Sequence, residues 1–143
     1  MPQPTNPRAR IETFCAAHAL EAPILLAPMA GACPPALAAA VANGGGMGAC
    51  GALLMKPDAI QAWASSFRAA SNGAFQINLW IPDPPPERNA DNEARVRSFL
   101  SEWGPDVPDD AGEVPLVDFD AQCAALLDAG PSVVSSIMGL YPP

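Results

Sequence analysis

The sequence predicts an α/β domain of parallel βα units, and three observations carry that prediction. An uncharged block from Pro23 to Gly51 runs strand, turn, small-residue helix and strand. A helix with one apolar face follows it and leads into a period-two run, Phe75 to Ile81. Beyond two further helical patterns, an apolar run spans Val133 to Met138. Apolar runs that recur only after an intervening helix are the rhythm of a parallel sheet.

Residues 1–10 are proline-rich and polar, which predicts a loose arm. Ile11 to Leu20 then forms a short helix, so that residues 1–22 precede the domain proper at 23–143. Ile24 to Ala27 reads as the first strand and Pro28-Met29-Ala30-Gly31 as its turn. Pro34-Pro35 opens a helix that Asn43-Gly44-Gly45 closes, and Met47 to Cys50 is the second strand. Lys56-Pro57-Asp58 starts the next helix, in which Ile60, Trp63, Ala64 and Phe67 fall at i, i+3, i+4 and i+7 on one apolar face. Asn72-Gly73 ends it.

In the third strand Phe75, Ile77, Leu79 and Ile81 share one face, and Gln76, Asn78 and Trp80 the other. With helices outside a barrel, the aliphatic face meets the helices and Asn78 points inward. Pro82 to Pro86 is a bridge, and Pro86 is expected to open a helix carrying Val96, Phe99, Leu100 and Trp103. Residues 83–118 read as a helical insertion after the third strand. Asp118 can cap a helix whose Phe119, Cys123, Leu126 and Leu127 share a face, closed by Gly130-Pro131 before the fourth strand. Four parallel strands leave an apolar edge unpaired. That implies the first half of a larger barrel, and it offers a route to self-association.

A chain of 143 residues is long enough to bury roughly 68–70% of its unfolded surface. Its hydrophobic half and low charge place it among globular domains. A net charge of −8, with seven basic residues scattered from Arg8 to Arg97, excludes a nucleic-acid surface. Asp106, Asp109, Asp110 and Glu113 crowd one proline-rich loop and read as a solvated face rather than a metal site. Cys15, Cys33, Cys50 and Cys123 form no C-x-x-C pair, and no histidine stands at ligand spacing. Reduced thiols and a cytoplasmic location are therefore expected, with no metal. The one histidine, His18, precedes the first strand and is a poor base for a catalytic cysteine. Glu12, His18 and Glu21 interrupt any leader-like apolar run. Pro28, Pro34, Pro35 and the Gly44–Gly46 run would break a membrane span through Ala22 to Met55.

Gly46-Met47-Gly48-Ala49-Cys50-Gly51 matches G-x-G-x-x-G, but it follows a helix and contains a strand, the reverse of the dinucleotide setting. Glycines that let a strand pass close to its neighbours account for it better. The turn Pro28 to Gly31 can be a tight βα turn or a backbone surface for a flat ring. An inward Asn78 needs a hydrogen-bond partner, which a ligand or a neighbouring backbone group could supply. Trp80 on the same face suits core or ligand platform alike.

Three blocks in order, PILLAPMAG, ALAAAVANGGGMGACGA and FQINLWIP, resemble the N-terminal part of the nitronate monooxygenase family, formerly 2-nitropropane dioxygenases. These are FMN enzymes built on a TIM barrel. The resemblance covers residues 23–82 well and Val133 to Gly139 more loosely, and the insertion at 83–118 departs from the usual pattern. It implies that Met29, Ala30 and Gly31 meet the isoalloxazine of FMN and that Asn78 contacts the cofactor. It also implies oxidation of an alkyl nitronate with O2 to a carbonyl compound and nitrite. The family's catalytic histidine and its late phosphate-binding glycine loops have no counterpart, and His18 does not stand in, so no catalytic residue is assigned. The expectation is a truncated chain, inactive alone. Two alternatives stay open: another FMN barrel, such as an enoyl-reductase relative, or a non-catalytic half-barrel module that oligomerises.

Overall fold

Proline stands in the first turn of the helices that begin at Pro7, Pro35 and Pro57, and glycine caps the ends of those that finish at Asn43 and Ala129. The computed structural model describes residues 6–84, 87–112 and 117–141. Helix α1 (Pro7–Ala17) has proline in its first turn and Asn6 as N-cap, whose side chain accepts from the Arg8 N–H. It starts four residues before the expected Ile11, because this cap and proline make Pro7 a competent helix start. The rest of the expected arm, residues 1–5, lies outside the described residues.

Helix α2 (Pro35–Asn43) leads into β1 (Gly48–Gly51), α3 (Pro57–Ala70) into β2 (Phe75–Trp80), and α5 (Phe119–Ala129) into β3 (Val133–Ile137). The strands form one parallel sheet in the order β1-β2-β3, with Gly51 beside Asn78 and Asn78 beside Ser135. The expected first strand, Ile24 to Ala27, is reduced to one parallel bridge, Leu25 to Met47. Leu26 N–H and Ile24 C=O still bond to Met47 at 2.9 Å each. The ladder goes no further because Leu26 C=O accepts from Gln76 Nε2, Ala27 C=O accepts from the Cys33 thiol, and Pro28 has no N–H to give.

The core lies between the helices and the outer face of the sheet. Ile60, Trp63, Ala64 and Phe67 of α3, all buried as their spacing requires, meet Phe75, Ile77 and Leu79 of β2. Alanines 38, 39 and 42 let α2 approach closely, so closely that a Cβ on Gly48 would stand 2.8 Å from Ala38 C=O. From α5 come Ala125, Leu126 and Ala129, with Phe119 and Cys123 packed at the margin. Leu127 is not on that face: it is 70% exposed, and Gln122 takes an inward place instead. At the opposite pole, Cys15 and Leu20 cluster with Met47 and Ala74, just ahead of β1 and β2, and with Val133 at the start of β3. The α1 segment thus closes the N-terminal ends of the strands.

Contacts divide the chain into two compact units, residues 1–82 with 117–143, and Asp83–Leu116. The second contains α4 (Ala90–Ser101), capped by Asn89 accepting from Asn92 N–H at 2.9 Å. The expected opening residue, Pro86, lies outside the described residues. Arg88 grips Glu93 with two bonds of 2.5 and 2.6 Å and holds its carboxyl below the usual range. Arg97 pairs with Asp109 at 3.3 Å, so that part of the acidic loop is a solvated ion-paired surface. Val96, Phe99, Leu100 and Trp103 are all exposed.

Candidate functional site at the carboxyl ends of the strands

The chain between the Leu25 bridge and α2 is fixed from within. Cys33 accepts from Met29 N–H at 3.4 Å and donates its thiol to Ala27 C=O at 3.1 Å, while Ala32 N–H bonds Met29 C=O at 3.0 Å. Gly31 adopts φ +74°, a conformation a side chain would resist. Trp63 Nε1–H reaches out of the core to the buried Cys33 C=O at 2.9 Å. Replacing Trp63 by phenylalanine keeps an aromatic ring but removes the indole N–H and strands that carbonyl, so a loss of at least about 1–3 kcal/mol is expected in urea unfolding.

Against this turn runs the end of β1. A Cβ on Gly51 would lie 2.7 Å from Ala30 N and 2.9 Å from the Met29 carbonyl carbon, so strand and turn touch backbone to backbone. Beyond them opens a cavity of about 390 Å³ lined by Pro28, Ala30, Gly51, Leu53, Asn78, Trp80, Ser136 and Ile137. It lies where a parallel α/β fold places its ligands. None of the eight lining residues is charged.

Of the residues singled out from sequence, Ala30 and Asn78 line this cavity together, and Met29 and Gly31 flank Ala30 without lining it. Trp80, 43% exposed, stands in the wall rather than in the core. His18 caps α1 and leans on Phe14, at the pole closed by the α1 segment.

Sequence reasoning missed three supporting residues. Asn78 Nδ2 donates to Ser135 Oγ at 3.0 Å, Ser135 Oγ–H donates to Gln76 Oε1 at 3.1 Å, and Gln76 Nε2 donates to Leu26 C=O at 3.1 Å. The alternation of the third strand already puts Gln76 beside Asn78, and Ser135 is a polar break in an apolar strand; both signals were available. Gln122, 4% exposed, sends Nε2 to the carbonyls of Ala52, Leu53 and Met55, which holds the loop carrying Leu53. No spacing rule marks that contact.

Two of the thiols are harder to ionise than a free cysteine. Burial, with Cys33 nearby adding to it, pushes the Cys50 thiol up to about 12, and its sulfur lies 3.7 Å from Met55 Sδ. Burial, then Asp120, also raises Cys123. A thiol harder to ionise folded than unfolded stabilises the fold below its unfolded value near 9 and stops doing so as pH climbs from there toward 12. Cys50→Ala should therefore flatten the fall in stability between those values, measured by urea titration at stepped pH. An unchanged slope would contradict the assignment. Among the described residues no His, Cys, Asp and Glu cluster could hold a metal, and no helix is long and apolar enough to cross a membrane.

Known proteins are similar to this chain in sequence and fold. The nitronate monooxygenase of Paraburkholderia phytofirmans is 32% identical over 127 residues, 85% of this chain and 34% of that protein. The crystal structure of nitroalkane oxidase from Streptomyces ansochromogenes matches 87% of this chain and 36% of its own, at 31% identity and a TM-score of 0.64. A mutant FabK from Thermotoga maritima matches 87% of this chain and 38% of its own, at 28% identity and a TM-score of 0.50. The chain thus spans about a third of the length of the relatives it matches, and its parallel βα units correspond to part of a TIM barrel. The nitronate monooxygenase family profile matches residues 12–143, and with that match the chain belongs to the nitronate monooxygenase family.

Proposed function

We propose that this chain supplies the wall of an FMN site on which an alkyl nitronate is oxidised with O2 to a carbonyl compound and nitrite. The observation that carries the reading is the uncharged cavity in which the Ala30 turn and the buried Asn78 amide meet over a side-chain-free Gly51. Its volume lies within the usual range for small-molecule clefts, roughly 300–1,000 Å³, and its lining suits a flat ring with polar edges. The bound flavin would supply the electron-accepting ring. The chain's own part is to hold that ring: Met29 to Gly31 offer backbone at one face, and Asn78 a polar contact at the edge. Cavity walls such as Trp80 and Ile137 exclude water.

The same lining offers no cation to a phosphate. The 143-residue chain is therefore expected to bind FMN weakly by itself. Flavin-fluorescence titration checks this, and micromolar or tighter affinity would contradict it.

An unpaired strand edge favours a second property. Among the described residues β3 pairs only with β2, and Ile137, Met138 and Leu140 beside its end are exposed. Self-association through this edge is the corresponding proposal. Size-exclusion chromatography should give a discrete oligomer, and a monomer at all concentrations would refute it.

A further inference from the structure

The hydrogen bonds of the inner face have a direction. Leu26 C=O can only accept, so Gln76 must turn its amide nitrogen toward it and its Oε1 toward Ser135. Ser135 has one hydroxyl proton and gives it to that Oε1, which leaves its oxygen as an acceptor for Asn78 Nδ2. Each group has one orientation compatible with its neighbour, and the fixed end is backbone. Asn78 and Ser135 stand side by side in register on β2 and β3, and Gln76 lies two residues before Asn78 on the same face. Asn78 is 8% exposed and Gln76 7%, so water cannot easily scramble the order. Among the described residues no donor reaches Asn78 Oδ1.

We propose that Gln76 and Ser135 are positioning residues that lock the Asn78 amide in one of its two flips. A ring in the cavity then meets Oδ1 as an acceptor and must offer an N–H there, as the imide edge of a heteroaromatic ring does. The ligand part of this inference rests on the cavity being a ring site; the lock itself does not. Without the chain of donors, the Ser135 hydroxyl could turn and donate to Oδ1, which would present the opposite pattern to a ligand.

The test is the side-chain amide spectrum of Asn78 in the 15N-labelled full chain, assigned by its disappearance in Asn78→Asp. In the flavin-free wild type one Nδ2 proton should be protected. Exchange should quicken roughly tenfold or more in Ser135→Ala and recover in Ser135→Thr. Gln76→Met should shift or double the Asn78 signal while the backbone amides of Ile77 and Leu79 stay in place. If Gln76→Met does not fold, the serine pair decides. Protection that survives Ser135→Ala, or an Asn78 signal unmoved in a folded Gln76→Met, would overturn the lock. Added FMN tests the cavity reading separately: an unlocked amide in flavin-free spectra sinks this inference alone, and FMN that moves no cavity resonance sinks the ring site alone.

Discussion

Phe67→Ala is expected to cost about 3–5 kcal/mol of folding stability, read from urea or thermal unfolding. Phe67 is fully buried, stacks on Trp63 at 5.7 Å and meets Phe75 at 4.7 Å, and so sits where α3 joins the sheet. Removing the ring opens a cavity among backbones that cannot close on it, because α2 and α3 both already lie tight on the strands. Against a total of roughly 5–15 kcal/mol for a domain, such a loss would leave little folded protein. A cost below about 1 kcal/mol would show that α3 does not pack on this sheet as described.

Gly51→Val should have the second-largest effect, and it acts on the site as well as the fold. The new Cβ would fall 2.7 Å from Ala30 N and 2.9 Å from the Met29 carbonyl carbon, and backbone atoms cannot rotate away as a side chain can. The turn from Met29 to Gly31 must shift, at a cost of about 1–3 kcal/mol. Since Gly51 and Ala30 both line the cavity, ligand affinity should fall further than stability does. Thermal unfolding combined with a ligand titration separates the two losses. A variant that keeps both would mean that the turn does not rest on β1.

The fold was legible where local pattern and packing agree. The i, i+3, i+4, i+7 spacing in α3 identified its buried face, and the alternation in Phe75 to Trp80 separated core from inner face. Reading failed where tertiary bonds compete with local preference. Ile24 to Ala27 has the composition of a strand, but two of its carbonyls are claimed by Gln76 and Cys33, and only one bridge remains. Leu127 has the right spacing for the core, yet the buried place goes to Gln122, whose amide satisfies three loop carbonyls. In the site, Asn78 stood out because an amide on an apolar strand must be answered. Ser135 and Gln76, which answer it, are joined only by strand pairing 59 residues apart in sequence.

The central proposal is that the turn carrying Ala30 and the amide of Asn78, which line one cavity, hold a flat ring there. The most direct measurement is an amide chemical-shift titration of the full chain with FMN into the millimolar range, where binding of only about −4 kcal/mol is visible. Shifts confined to Ala30, Gly31, Gly51, Asn78 and Trp80 are the predicted result. Shifts clustered around α1, or none at saturation of solubility, would contradict it.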